Sequence, residues 1–152
     1  MFVGYRQFTP LSDAMPEYQG LAAAVNATYV RGSTKFEVKV NRDVFYSYEA
    51  LRPYYALFDA GLTVTQRVTH SWEIVGRGAR QTLSYRQLAS LGDENGGIDR
   101  GYTYGGGIGY LAGETLRLGL DANYYTRRAE VGGRRDYEGL RLFGSIRYGI
   151  QQ

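Results

Sequence analysis

The chain contains no cysteine. That excludes a disulfide scaffold, thiolate chemistry and cysteine-based zinc sites, and it leaves the compartment open. Histidine occurs once, at His70, which is too little for a His-rich metal site. Proline is scarce, with three residues in 152, and lysine appears only as Lys35 and Lys39. There is no apolar run of roughly eighteen residues, so no transmembrane helix is expected. Helical periodicity is also rare, which points to an all-β class. A mean hydropathy of −0.38 ordinarily reads as soluble. It carries no such message for a β-barrel, whose membrane face uses only alternate residues.

What is abundant is glycine, with 21 residues, and tyrosine, with 15. Arranged around them is a strict alternation. In Leu116-Arg-Leu-Gly-Leu-Asp-Ala-Asn-Tyr-Tyr125, the residues Leu116, Leu118, Leu120, Ala122 and Tyr124 share one face. Arg117, Gly119, Asp121, Asn123 and Tyr125 share the other. A period of two marks a strand between unlike environments. The same period recurs in Gln19 to Arg31, Lys35 to Tyr46, Tyr54 to Val68, Tyr102 to Leu111 and Tyr137 to Ile150. Arg42 interrupts the apolar row of its segment. From Trp72 to Arg86 the phase is mixed: Trp72 and Ile74 fit one face, Val75, Ala79, Leu83 and Tyr85 the other. A bulge near Gly76 or Gly78 is the expected remedy. With Phe2 to Phe8, which reads as a strand and not as a signal peptide, the expectation is about eight antiparallel strands in an up-and-down meander. The chain then reads as a single domain over 1–152, as a mature form, a fragment, or a protein that never crosses a membrane.

Connections sort by size. Short ones are expected near Gly32-Ser33-Thr34, Thr69-His70-Ser71 and Ala112-Gly113-Glu114. Long ones are expected over Thr9 to Tyr18, Ser47 to Pro53, Leu88 to Arg100 and Thr126 to Asp136. Short turns at one end and long loops at the other is the pattern of an outer-membrane barrel. Aromatics gather at both ends, with Tyr46, Tyr48, Tyr54, Tyr55, Tyr85, Tyr102, Tyr104, Tyr124, Tyr125 and Tyr137 beside long loops. Tyr29, Trp72, Tyr110 and Tyr148 lie near short turns, so the two groups form candidate girdles.

The hairpins Lys35-Phe-Glu-Val-Lys-Val-Asn-Arg-Asp-Val44 and Tyr54-Tyr-Ala-Leu-Phe-Asp-Ala-Gly-Leu-Thr-Val-Thr-Gln-Arg-Val68, with the strand running from Leu116 to Arg128, resemble the C-terminal part of the β-barrel porins of Gram-negative outer membranes. The resemblance implies a transmembrane β-barrel, or the C-terminal part of a larger one. It also implies residence in the outer membrane of a Gram-negative bacterium, among its lipid, and recognition by the barrel-assembly machinery. In that family the terminal strand commonly ends on an aromatic residue; here Tyr148 is displaced inward from Gln152.

No convergent catalytic set is apparent, so a non-enzymatic protein without cofactor or metal is expected. His70-Ser71 lies in a turn, and adjacent strand residues point apart. Asp93, Glu94 and Asp99 lack calcium-loop spacing, and Gly105-Gly-Gly-Ile-Gly109 has neither the Lys-Ser/Thr nor the helix of a phosphate loop. The net charge of +3 rests on arginines spread along the chain, against a nucleic-acid partner. Expected to line a lumen are Glu37, Lys39, Asn41, Asp59, Arg67, Arg117, Asp121, Asn123, Arg141 and Arg147. Arg127, Arg128, Arg134 and Arg135 form a basic loop that could pair with lipopolysaccharide phosphates. Eight strands closing alone enclose just enough room for side chains, so no open pore is expected without further strands. The function expected is thus a porin-like or structural envelope barrel, the alternative being a soluble or periplasmic lipocalin-like barrel with an apolar ligand inside. Oligomeric state stays open.

Overall fold

A computed structural model describes residues 1–9, 16–49, 51–88, 95–113, 115–130 and 136–149. Among the described residues, eight strands form one sheet in sequence order: β1 (Phe2–Phe8), β2 (Tyr18–Arg31), β3 (Thr34–Glu49), β4 (Arg52–Arg67), β5 (Trp72–Arg86), β6 (Asn95–Ala112), β7 (Leu116–Ala129) and β8 (Tyr137–Tyr148). Every neighbouring pair is antiparallel. The meander expected from the alternation is present, but β1 and β8 are not paired and the sheet is open.

The turns follow from local chemistry. Between β2 and β3 the loop is Gly32-Ser33, with Gly32 at φ 59°, the conformation a tight two-residue hairpin requires at its first position. Between β4 and β5, the Thr69 hydroxyl accepts from the backbone N–H groups of Ser71 and Trp72 at 3.3 and 3.0 Å. This local bond holds the turn that carries the exposed His70.

Three sequence expectations need correction. The connection between β3 and β4 is not long: the strands continue to Glu49 and resume at Arg52. Pairing passes from Tyr46↔Tyr54 to Glu49↔Arg52, so Ser47 and Tyr48 together oppose Pro53. A bulge accommodates the proline, which cannot donate to a ladder, without ending the strand. The bulge expected near Gly76 or Gly78 is absent, because β5 keeps one register with β4 from Arg67↔Glu73 to Tyr54↔Arg86. Finally, β6 begins at Asn95 and β7 runs to Ala129, so Asp99, Arg127 and Arg128 are strand residues, not loop residues. At the start of β6, Gly96 and Gly97 oppose Tyr85 in a true bulge, with Gly97 at φ 89°. A Cβ at Gly96 would lie 2.9 Å from that of Tyr85.

Register defines two faces. One row crosses the sheet through Thr28, Glu37, Thr63, Arg77, Gly105, Asn123 and Arg141. The adjoining row on the opposite face runs through Ala27, Val38, Leu62, Gly78, Tyr104, Tyr124 and Leu140. On the first face Glu73, Arg117, Asp121 and Asn123 are each less than a tenth exposed. On the second, Leu120 is 65% exposed, Leu142 72% and Ile146 77%. The sheet therefore curls around its charged face and leaves its apolar face outside.

The β1–β2 end is secured separately. Pairing of β2 with β3 stops at Ala23↔Arg42, while β1 follows β2 up to Tyr18. There Tyr54, 1% exposed, donates its hydroxyl to the carbonyls of Pro16 and Glu17 at 2.8 and 3.0 Å. The rings of Phe8 and Tyr18 pack edge-on against it.

Candidate functional site

Between Gly105 and Gly109, strand β6 turns no side chain inward. Gly101, Gly105, Gly107 and Gly109 occupy its inner row, and this bare strip lets side chains of β5 and β7 meet across it. A Cβ at Gly109 would stand 2.7 Å from Glu73 Cγ and 2.9 Å from Arg117 Nη2. Added Cβ atoms at Gly105 and Gly107 would overlap the side chains of Asn123 and Asp121. The glycine run thus supplies the volume for a charged network, and lies within a strand as expected.

That network has three centres along the inner face. Nearest the short turns, Arg117 donates through Nε to Glu73, and through Nη1 to Ser145 Oγ at 3.4 Å. Midway, Arg77 donates to Asp121 Oδ1 at 2.6 Å and to Asn123 Oδ1 at 3.4 Å. Nearest the long loops, Arg127 donates to Asp99 Oδ2 through Nε and Nη2 at 3.1 and 2.6 Å, and to the Tyr85 hydroxyl at 2.8 Å. Burying a charge is costly unless partners replace its water, and pairing with further hydrogen bonds supplies that here. Asn123 donates to the Tyr125 hydroxyl at 3.2 Å, and the Arg141 guanidinium lies 5.3 Å from the Tyr125 ring centroid.

Register places all ten residues expected to line a lumen on this inner face. Arg117, Asp121 and Asn123 join the buried network; Lys39, Arg141 and Arg147 remain exposed. Glu73, Arg77 and Asp99 belong to the same network and were missed. The first two alternate with Val75 along β5, a period that the supposed bulge concealed. Asp99, considered for a calcium loop, is instead the Arg127 partner; Asp93 and Glu94 lie outside the described residues. Of the basic-loop arginines, Arg127 is thus engaged inside, whereas Arg128 is exposed and 3.6 Å from Asp136. Arg134 and Arg135 lie outside the described residues.

Beside the short turns the inner face lines a cavity of about 820 Å³, partly open to solvent, with walls from β2, β3, β4, β5, β7 and β8. Outside, aromatic side chains collect at the same level. Tyr29 packs on Phe36 with centroids 6.2 Å apart, and Trp72 on Tyr110 at 5.0 Å. Tyr148 continues this band on β8, while Tyr46, Tyr104 and Tyr124 are exposed on the outer face toward the long loops.

These features define a class: an all-β, up-and-down antiparallel sheet with a charged inner face and an apolar outer face. Compared with known proteins, the chain matches no family model, no curated protein and no solved structure.

Proposed function

We propose that this chain is an outer-membrane β-barrel protein, or a section of a larger barrel, with a porin-like or structural role in a Gram-negative envelope and no enzymatic activity. The observation that carries this reading is the inverted polarity of the sheet. Buried Glu73, Asp99, Arg117 and Asp121 face inward, while Leu62, Ile108, Leu120, Leu142 and Ile146 stand exposed. A soluble protein rarely exposes a contiguous apolar patch on that scale, and a lipid-facing wall consists of one. A soluble ligand-binding barrel calls for the opposite arrangement. Exposed aromatics at both ends of the apolar band add support, since amphipathic rings favour membrane–water boundaries. The strands, of 14 to 18 residues from β2 to β7, exceed the roughly 9–11 residues that a tilted strand needs to span a bilayer. In this reading the free edges of β1 and β8 are where the barrel closes, with each other or with further strands. Exposed Arg128, near the loop end of β7, is in this reading a contact for lipopolysaccharide phosphates.

Detergent dependence tests the proposal. The purified protein is expected to be monodisperse only with detergent or lipid. A monodisperse preparation in plain buffer would overturn it. Conductance in planar bilayers then separates a porin-like role from a structural one.

A further inference from the structure

We propose that the inner cavity beside the short turns is a binding site for small oxyanions, with Arg67 and Arg147 as its anion-contacting groups. The cavity wall carries five cations, Lys35, Arg67, Arg77, Arg117 and Arg147, against the carboxylates of Glu37, Glu73 and Asp121. Each of those carboxylates already has a cation. Glu73 takes Arg117, Asp121 takes Arg77 at 2.6 Å, and Glu37 takes Lys35 at 3.0 Å. Arg67 on β4 and Arg147 on β8 make no ion pair among the described residues. The positive excess of the cavity therefore resides on these two guanidiniums, brought to one space from opposite parts of the sheet.

The surroundings suit an oxygen-rich anion. A guanidinium offers a planar fork of donors that matches carboxylate, phosphate and sulfate, and does so better than an ammonium group. Thr63 and Thr65 present further hydroxyls to the cavity from β4. Val75, 5% exposed, and Phe143 supply apolar wall. A charged cleft with low-dielectric walls concentrates counter-ions more strongly than the same charges on an open surface. A cation meets the opposite situation, because every carboxylate in the wall is already neutralised.

The site deepens the proposed function and rests on it in one respect: the inner face must be reached by water. The test uses the protein in neutral maltoside micelles, free of phospholipid, so that no headgroup supplies the anion. Inorganic phosphate is titrated by calorimetry at low ionic strength, where exposed arginines are least screened. Saturable binding is expected, weakened at least tenfold by Arg67→Gln and by Arg147→Gln. It should be unchanged by Arg42→Gln, which removes the same charge from the outer face. Sulfate should compete, and chloride at matched ionic strength should not. Absence of saturable binding to the unaltered protein, equal loss in Arg42→Gln, or equal competition by chloride each overturns the site. The unaltered protein decides by itself if a variant does not fold. Should the protein stay monodisperse without detergent and still bind phosphate, the membrane proposal falls and the anion site stands. If it needs detergent and binds nothing, the reverse holds.

Discussion

Arg117 on β7 reaches over Gly109 of β6 to bond Glu73 on β5, so two strands that are not neighbours share a buried ion pair. Both residues are buried. Removing one partner leaves the other charge buried, and Arg117→Ala is expected to cost about 3–5 kcal/mol. The paired replacement Glu73→Leu with Arg117→Met should recover much of that loss, because it leaves no orphaned charge. Chemical unfolding in micelles measures both, and a single variant as stable as the starting protein would contradict the pairing.

The glycine strip predicts a contrast between two positions. Gly109→Val places atoms where Glu73 and Arg117 lie and should prevent the native inner face from forming. Gly139→Ala meets nothing within 4 Å and should be neutral or stabilising by up to about 1 kcal/mol, through the unfolded chain. Refolding yield and unfolding midpoints of the two variants are the readout.

Leu120 and Leu142 distinguish lipid from water as the outer environment. In bilayers Leu120→Arg or Leu142→Arg is expected to cost about 2–4 kcal/mol if the position lies near the midplane. Equilibrium refolding into vesicles reads this directly, and equal stability of both variants with the parent would count against a lipid-facing wall.

Tyr54 ties the segment before β2 to the rest of the sheet. Tyr54→Phe keeps the ring packing against Phe8 and Tyr18 but deletes the bond to the Pro16 and Glu17 carbonyls. About 1 kcal/mol should be lost, somewhat more if both carbonyls stay buried and unsatisfied. No change in the unfolding midpoint would show that the hydroxyl contributes nothing.

Where one face is apolar and the other polar, as in β7, the sequence displays the strand, its phase and its inner residues together. The inner position of Arg117, Asp121 and Asn123 was legible for that reason. In β5 the rule fails locally. Val75, Leu83 and Tyr85 are apolar and buried, yet share the inner face with Glu73 and Arg77. Polarity alone then mimics a phase shift, and only the pairing with β4 and β6 resolves it. Pro53 misled for another reason, since its missing N–H signals a strand end unless a bulge absorbs it. The partner of Asp99 is Arg127, 28 residues away, and no local pattern carries a partner at that separation.

The ion pairs that meet across Gly105, Gly107 and Gly109 also discipline how the strands are laid down. A slip of one residue between β5 and β6, or between β6 and β7, reverses which side chains point in. It would thrust Glu73 and Arg77, or Arg117 and Asp121, outward among the leucines and strand their partners inside. Correct alignment is the arrangement in which all four charges find one another, so the ion pairs act as a checksum on β-strand registration.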